Sequence, residues 1–579
     1  MSRNHEVAAL FEEFADLLDA KGVEYKPRSY RRAAENIREH HRDIEVLAAD
    51  GQDAVEEISG VGDAISSKVV EYFETGEISE LVELRQELPV NMAELTAVEG
   101  VGPKSVGKLY EALGITTLDE LEEAAKAGKI QEISGFGAKT EENILENIPF
   151  ARESQSRELL GEARPLAESI LAYFEDVSEA EKWEVAGSLR RWKATIGDID
   201  ILAASDEPQA VIEAFTDWAD VDDVIEAGTK KAAVRSGGLR IDLRVVDVAD
   251  FGAALQYFTG SKAHNVHLRN IAIDQNLKMN EYGVFDVSVV DDPDAGQRVG
   301  ERVAGETEES MYDALSVPWM PPELREDRGE IEVALDGDLP TLIDEDDIRG
   351  DLHLHTEWSD GNNTIEEMVE GAAAFGHDYL CISDHATGPG MVGGVGLEDD
   401  ELLDQLSEIR AVAEDASIEV FAGVEANIDD EGGISIGEEV AAALDIVVAS
   451  PHSNLDGDAT DRLVTAVSNP HVTILGHPTG RLLNQRPGLE FDIETVAKAA
   501  AAHDTALEIN ANPHRLDLSG SMVQQALKHG ATISINTDAH RPENYELIRY
   551  GVHTARRGWA EADDVLNACS ADDVRDFFG

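Results

Sequence analysis

Cysteine is nearly absent: Cys381 and Cys569 are the only two in 579 residues. Two thiols without Cys-x-x-Cys spacing exclude a disulfide framework and a thiolate zinc site, and they suit a reducing cytoplasm. Long apolar runs are missing too. Hydrophobic residues make up 42% of the chain, yet no run approaches the roughly 20 residues a helix needs to cross a bilayer. The opening MSRNHEVAALFEEFADLL is acidic and amphipathic, not basic and then apolar, so no export signal and no membrane partner are expected, and the expected location is cytoplasmic. Positive charge is scarce: 47 Lys plus Arg face 118 Asp plus Glu, a formal net charge of -71. That balance works against long-range attraction to nucleic acid. The acid excess is spread over helix faces such as ELVELRQEL and LDELEEAA, a halophile-like pattern that suits a salt-loaded cytoplasm. At about 1 M salt the Debye length is roughly 3 Å, so diffuse repulsion vanishes while direct contacts persist.

The chain is long enough for several domains. Its first 150 residues show helical periodicity, as at Leu10, Phe14, Leu17 and Leu18. Within them one pattern recurs three times: ISGVGDAISSKVVEYF, VEGVGPKSVGKLYEAL and ISGFGAKTEENILENI. Each sets Gly-apolar-Gly before an amphipathic helix, with the pairs Gly60 and Gly62, Gly100 and Gly102, Gly135 and Gly137. Such a turn points backbone N–H groups outward at a helix N-terminus, where a phosphate is favoured. The plainer alternative is a repeated helical corner whose glycines serve packing alone.

From about 151 the texture changes to helix mixed with short alternating strands, WEVAGSL, DIDILAA and LRIDLRVV. Asp198 and Asp200 lie two residues apart on one predicted strand, so both face one way while Ile199 faces the core. Asp242 has the same alternation on another strand and completes a three-carboxylate set of the kind that holds two magnesium ions. Upstream, Gly187, Ser188 and Arg191 offer a close-approach turn, a hydroxyl and a guanidinium suited to a triphosphate. After Arg349, buried strands ending in His, Asp or Glu alternate with helices, which predicts a parallel α/β barrel with one active face. His353, His355, Asp360, His385, Glu425, His452, His477, Asp538 and His540 fall at those strand ends. Nitrogen and oxygen donors without thiolate suit zinc, manganese or iron.

In these motifs residues 1 to about 325 resemble the family X DNA polymerases, and 349–579 resemble the polymerase and histidinol phosphatase (PHP) domain. The resemblance implies a multidomain fold: an all-α helix-hairpin-helix region, an α+β nucleotidyltransferase palm with a thumb, and a distorted α/β barrel. The expected division is a lyase-like domain over 1–85, a second hairpin region over 86–150, palm 151–250, thumb 251–325, acidic linker 326–348 and PHP domain 349–579. By resemblance Asp198 and Asp200 hold both palm ions, magnesium or manganese, and Asp242 holds one and helps deprotonate the primer hydroxyl. Ser188 and Arg191 grip the deoxynucleoside triphosphate. Tyr257, Phe258 and Gly260 form the sugar-selecting turn, while Asn265 and Arg269 meet the base pair and template. Lys68 falls where lyase members carry a Schiff-base lysine, although Ala64 stands where a second lysine is common. The nine barrel residues would bind up to three zinc, manganese or iron ions. Taken together, the resemblance implies a monomer that fills short gaps in primed DNA during repair and performs 3′–5′ exonuclease, 3′-end cleaning or abasic-site incision. Two other readings stay open from the residues: a DNA-binding scaffold with one inactive half, and a small-molecule phosphatase fused to a non-DNA nucleotidyltransferase.

Overall fold

The computed structural model describes residues 3–578 apart from 24–25, 39–43, 57, 59, 99, 155–156, 389–394 and 456. Up to residue 154 every described regular element is helical. The three Gly-apolar-Gly turns precede helices α1 (Asp63–Thr75), α2 (Pro103–Leu113) and α3 (Ala138–Ser154). Each helix buries residues three or four apart, Ile65 and Val69, Val106 and Leu109, then Ile144, Ile148 and Ala151, the spacing of one helical face. The middle residue of each turn, Val61, Val101 or Phe136, is buried in the same core, which runs from Val7 to Ala151.

Beyond residue 157 a five-stranded sheet contains β1 (Lys182–Val185), β2 (Ile199–Ala204), β3 (Asp223–Ala227), β4 (Lys231–Ser236) and β5 (Leu239–Val246), in the order β1-β2-β5-β4-β3. Only β2 and β5 are parallel. Along β5, Leu239, Ile241, Leu243 and Val245 are buried while Asp242 and Arg244 face the other side, the period-2 alternation of a half-covered sheet. Helices α4 (Phe251–Thr259) and α5 (Lys262–Asp274) then lead into an antiparallel meander of β6 (Leu277–Asn280), β7 (Gly283–Asp286) and β8 (Glu301–Ala304). The acidic stretch 326–348 contains helix α6 (Glu330–Asp336), which contributes Ile331 and Ala334 to the core of this unit. Glu330 is buried there, 2.7 Å from His264 Nδ1, and accepts from the backbone of Asp327 and Arg328.

Seven parallel strands follow in sequential order: β9 (Gly350–Asp351), β10 (Tyr379–Ile382), β11 (Glu419–Asn427), β12 (Ile446–Ser450), β13 (Ile474–Leu475), β14 (Ala506–Asn510) and β15 (Ile533–Asn536). Every residue of β10, β12, β14 and β15 is buried, as befits strands covered on both faces. The two ends of the series meet: Leu354 bridges Ala539 in parallel, and Asp538 N donates to His353 O at 3.0 Å. The ring is therefore nearly closed, the distorted barrel expected. Helix α7 (Ile548–Arg557) packs Ile548, Val552 and Ala555 on the barrel core, whereas Tyr550 joins the core of the five-stranded sheet. Among the described residues no helix is long and apolar enough to cross a membrane.

Candidate active sites and nucleic-acid interface

Asp198 is exposed just before β2, and Asp200 is opposite Asp242 in the parallel β2–β5 pair. Register thus brings the three predicted carboxylates to one concavity, shared with Lys231, Arg240, Arg244 and Phe258. Burial, with Asp198 and Asp242 close by, pushes Asp200 up to about 7. A carboxylate crowded enough to hold a proton near neutrality is one that a divalent cation relieves. Arg240 grips Asp242 through two hydrogen bonds, 2.5 and 2.9 Å, with Lys231 3.6 Å away. Burial alone would raise Asp242, but these two cations hold it below the usual carboxylate range.

Gly187 has φ +60, and a Cβ there would sit 2.2 Å from Asp200 Oδ2. Only glycine lets the turn carrying Ser188 approach the carboxylate. Arg191 donates from Nε to Glu326 at 3.1 Å and from Nη1 to the carbonyl of Thr259, against Gly260. Tyr257 and Phe258 meet edge to face at 5.1 Å, and the Arg244 guanidinium covers Phe258 at 4.5 Å. Asn265 donates to Tyr257 O at 2.7 Å and accepts from Gln256 at 2.8 Å, while Arg269 reaches back to Asn265 O at 3.2 Å. The predicted nucleotide residues therefore form one linked corner beside the carboxylates.

All nine residues predicted for the barrel converge. His355, Asp360, His385 and His540 form one group, His353, His355 and Glu425 a second, and His385, Glu425 and His452 a third, each offering donor atoms within 4.8 Å of one another. Asp538 Oδ1 lies 3.0 Å from His355 Nε2, and His477 Nε2 lies 2.9 Å from Glu425 Oε1. His353 Nε2 and His355 Nδ1 are buried without a hydrogen-bond partner among the described residues, while His355 Nε2 against Asp538, and His385 Nδ1 against Glu425 Oε2 at 2.6 Å, meet carboxylates without hydrogen-bond geometry. Unsatisfied polar atoms at such density are costly, and the set fits divalent cations. Burial would raise Glu425, yet His385, His452 and His353 hold its carboxyl well below the usual range.

Sequence reasoning missed three neighbours. Glu508 accepts from His353 Nδ1 at 2.8 Å, and Asn427 Oδ1 lies 2.7 Å from His452 Nδ1, each fixing a ring so that Nε2 faces the cluster. Glu508 had a signal, a carboxylate inside the apolar strand ALEIN. Arg515 directs Nε toward Asp538 Oδ2 at 3.8 Å from the rim. Asn510, the last residue of β14, donates to Asp538 at 3.0 Å. Asp384 instead accepts from Thr356, Ser359 and Gln405 and fixes the loop that carries Asp360.

At the hairpins, Gly60, Gly100 and Gly135 have φ of +74, +81 and +96, the left-handed region that glycine enters freely. Gly62, Gly102 and Gly137 do not need it, and a Cβ on any of them would meet nothing within 4 Å. Internal packing therefore gives no reason for these three glycines. Lys68, by contrast, is engaged: Nζ bonds Glu80 at 3.0 Å and Ala64 O at 3.2 Å and lies 5.9 Å from the Tyr30 ring centroid. Burial would lower it, but Glu80 and Tyr30 keep it above the usual lysine value, the reverse of what a neutral amine nucleophile requires.

Comparison with known proteins agrees with this geometry. Residues 2–78 match a helix-hairpin-helix domain, 92–148 a SAM-like helix-hairpin-helix tandem, 254–326 the DNA polymerase beta thumb and 351–512 the PHP domain. The DNA polymerase/3′-5′ exonuclease PolX of Bacillus subtilis is 35% identical over 580 residues, 99% of this chain and 98% of its own length. A probable phosphatase of Caldanaerobacter subterraneus is 32% identical over 33% of this chain and 75% of its own, and DNA polymerase lambda of Arabidopsis thaliana is 26% identical over 56% of this chain and 62% of its own. With one relative aligned over almost its whole length and hairpin, thumb and PHP segments matched in that order, the chain belongs to the family X DNA polymerases that carry a carboxy-terminal PHP domain.

Proposed function

We propose that this enzyme fills short gaps in DNA and trims or cleans 3′ ends, using separate sites in palm and barrel. The observation that carries the reading is the presence of two cation-ready clusters, one in each half. Membership of the family implies divalent metals, DNA and deoxynucleoside triphosphates. Magnesium or manganese in the palm and up to three zinc, manganese or iron ions in the barrel would stabilise negative charge on the phosphate transferred or cleaved.

Asp198, Asp200 and Asp242 are the residues to hold the palm ions. Asp242 also helps deprotonate the primer hydroxyl, which requires Arg240 to release it. Ser188 and Arg191 take the triphosphate. The Tyr257–Phe258 pair and Gly260 leave little space for a ribose 2′-hydroxyl, and Asn265 and Arg269 act at the base pair and template. In the barrel the nine residues hold the ions, Glu508 and Asn427 orient two of the histidines, and Arg515 meets the phosphodiester. The open ground before Gly62, Gly102 and Gly137 supports phosphate binding by hairpin backbone amides, which demands little basic surface. Separate buried cores support setting a hairpin region over 1–150 apart from palm 151–250, thumb from 251 and PHP domain 349–579, while the finer division of the hairpin region into 1–85 and 86–150 rests on the resemblance, since one core spans both.

A one-nucleotide-gapped duplex labelled at the primer 5′ end, in high salt with manganese, tests the reading. Asp198→Ala should abolish extension and spare shortening, and His353→Ala the reverse. Wild type that neither extends nor shortens the primer refutes it.

A further inference from the structure

The palm segment that follows Ser188 is held from the PHP domain. Trp192 is buried with φ +51, a left-handed conformation that bulky residues seldom adopt. Its ring stacks on His553 of α7 at 3.5 Å with planes 6° apart, while Arg164 of the palm covers its ring at 4.3 Å. Next to it, Arg557 of α7 donates Nη1 to the carbonyl of Arg191 and Nη2 to Glu326 Oε1 at 3.0 Å. Arg191 Nε reaches that same Oε1 at 3.1 Å. Two guanidiniums, one from each catalytic half, thus share one carboxylate oxygen, and the PHP side also holds the main chain of the palm arginine. Arg328 Nη2 completes the junction by donating to Arg557 O at 2.6 Å. Neither His553 nor Arg557 belongs to the barrel cluster.

We propose that the PHP domain sets the nucleotide affinity of the polymerase site by positioning Arg191 through Arg557 and Glu326. The inference rests on the reading of Arg191 as a triphosphate ligand. With Arg557 present, Glu326 has a second cation and Arg191 is free to exchange part of its grip for phosphate. Without Arg557, Arg191 is the one cation still hydrogen-bonded to Glu326 among the described residues, with Lys193 and Arg328 acting from farther off, and in this half-buried setting a less shared carboxylate holds its partner harder. The carbonyl of Arg191 loses its donor as well, and the strained Trp192 turn its clamp. Arg557 is a positioning residue, so the effect belongs in nucleotide binding more than in the chemical step.

The test is single-nucleotide insertion by full-length wild type, Arg557→Ala, Arg557→Lys, Arg191→Ala and Arg191→Ala/Arg557→Ala, with 3′ shortening measured on each preparation. Arg557→Ala is expected to raise KM for the nucleotide about tenfold with kcat within about threefold, the signature of lost binding spared in turnover. Shortening should match wild type. Arg557→Lys should fall between, and loss of Arg557 should add little once Arg191 is gone. If Arg557→Ala also loses shortening, its fold is damaged and Arg557→Lys decides, a raised KM with intact shortening supporting the inference and a wild-type KM overturning it. Arg191→Ala with a raised KM beside unchanged Arg557 variants overturns the inference alone. An unchanged KM in Arg191→Ala overturns the Arg191 reading and the inference with it.

Discussion

His353 gives one ring nitrogen to Glu508 and leaves the other, Nε2, buried without a partner. Glu508→Gln keeps the shape but weakens that orienting bond, and losses of this kind usually reduce metal affinity about 10- to 100-fold. Metal content of the purified variant after mild chelation, measured by mass spectrometry, should fall well below wild type while gap filling persists. Retention equal to wild type would make Glu508 a packing group. Lys68 leads to the opposite sort of expectation. Held by Glu80 and kept above the usual lysine value, it should give no borohydride-trapped adduct with an incised abasic duplex at pH 7.5. A trapped species that disappears in Lys68→Ala would restore the lyase role. At this scale the sequence exposed eight of the barrel residues because they stand in or just beyond the strands, Asp360 through its Ser-Asp-Gly turn, and the palm aspartates because strand alternation puts them on one face. Glu508 stayed hidden one alternation behind Asn510, and the Arg240–Asp242 grip needed side-chain geometry that spacing does not carry.

Among the elements, the hairpins separate what the fold needs from what a ligand needs. Gly102 caps α2 with φ -76 and ψ 171, extended backbone that any residue adopts, and nothing lies within 4 Å of its Cβ position. Aspartate is a good N-cap and suits the positive end of the helix dipole, so Gly102→Asp should leave the thermal midpoint unchanged or slightly raised. It would also set a carboxylate where a DNA phosphate is expected, and affinity for gapped duplex by anisotropy should drop at least about tenfold. Equal affinity would return the repeat to a mere helical corner. The junction between thumb and PHP domain makes a pH prediction. Glu323 is buried against His553 and Arg556, each at 2.8 Å. Burial would raise its carboxyl, but these partners bring it down to about 2. A lowered folded-state value means the contribution is complete above the unfolded value near 4.5 and is lost as pH falls through about 2. A lowering of this size corresponds to about 3 kcal/mol. Glu323→Gln should therefore unfold earlier than wild type at pH 7, and the gap between them should narrow by more than half at pH 3; a constant gap would deny the ion pair its role. These contacts, between residues more than 200 positions apart, leave no trace in local sequence pattern. For the same reason the acidic stretch 326–348 reads as solvated linker although Glu330 is buried and Glu326 is held between arginines.

Over the whole molecule, a formal charge of -71 must coexist with a polyanionic substrate. The cations that remain near the hairpins are few, with Lys104, Lys108 and Lys139 exposed beside Gly102 and Gly137. Ordinary DNA-binding proteins lose affinity with salt because many phosphate contacts release counterions. Here few such contacts oppose a repulsion summed over the entire surface, and backbone amides carry no net charge to be screened. Raising KCl from 0.1 to 1 M shortens the Debye length from about 10 to about 3 Å, which removes the repulsion and spares direct hydrogen bonds. Affinity for gapped duplex and the rate of gap filling should accordingly rise across that range, before counterion competition prevails at higher salt. The measurement is anisotropy at fixed pH and manganese, with the gap-filling rate taken in the same buffers. Affinity that falls steadily from 0.1 M upward would mean that local cationic contacts dominate binding and that the acidic surface has no part in setting it.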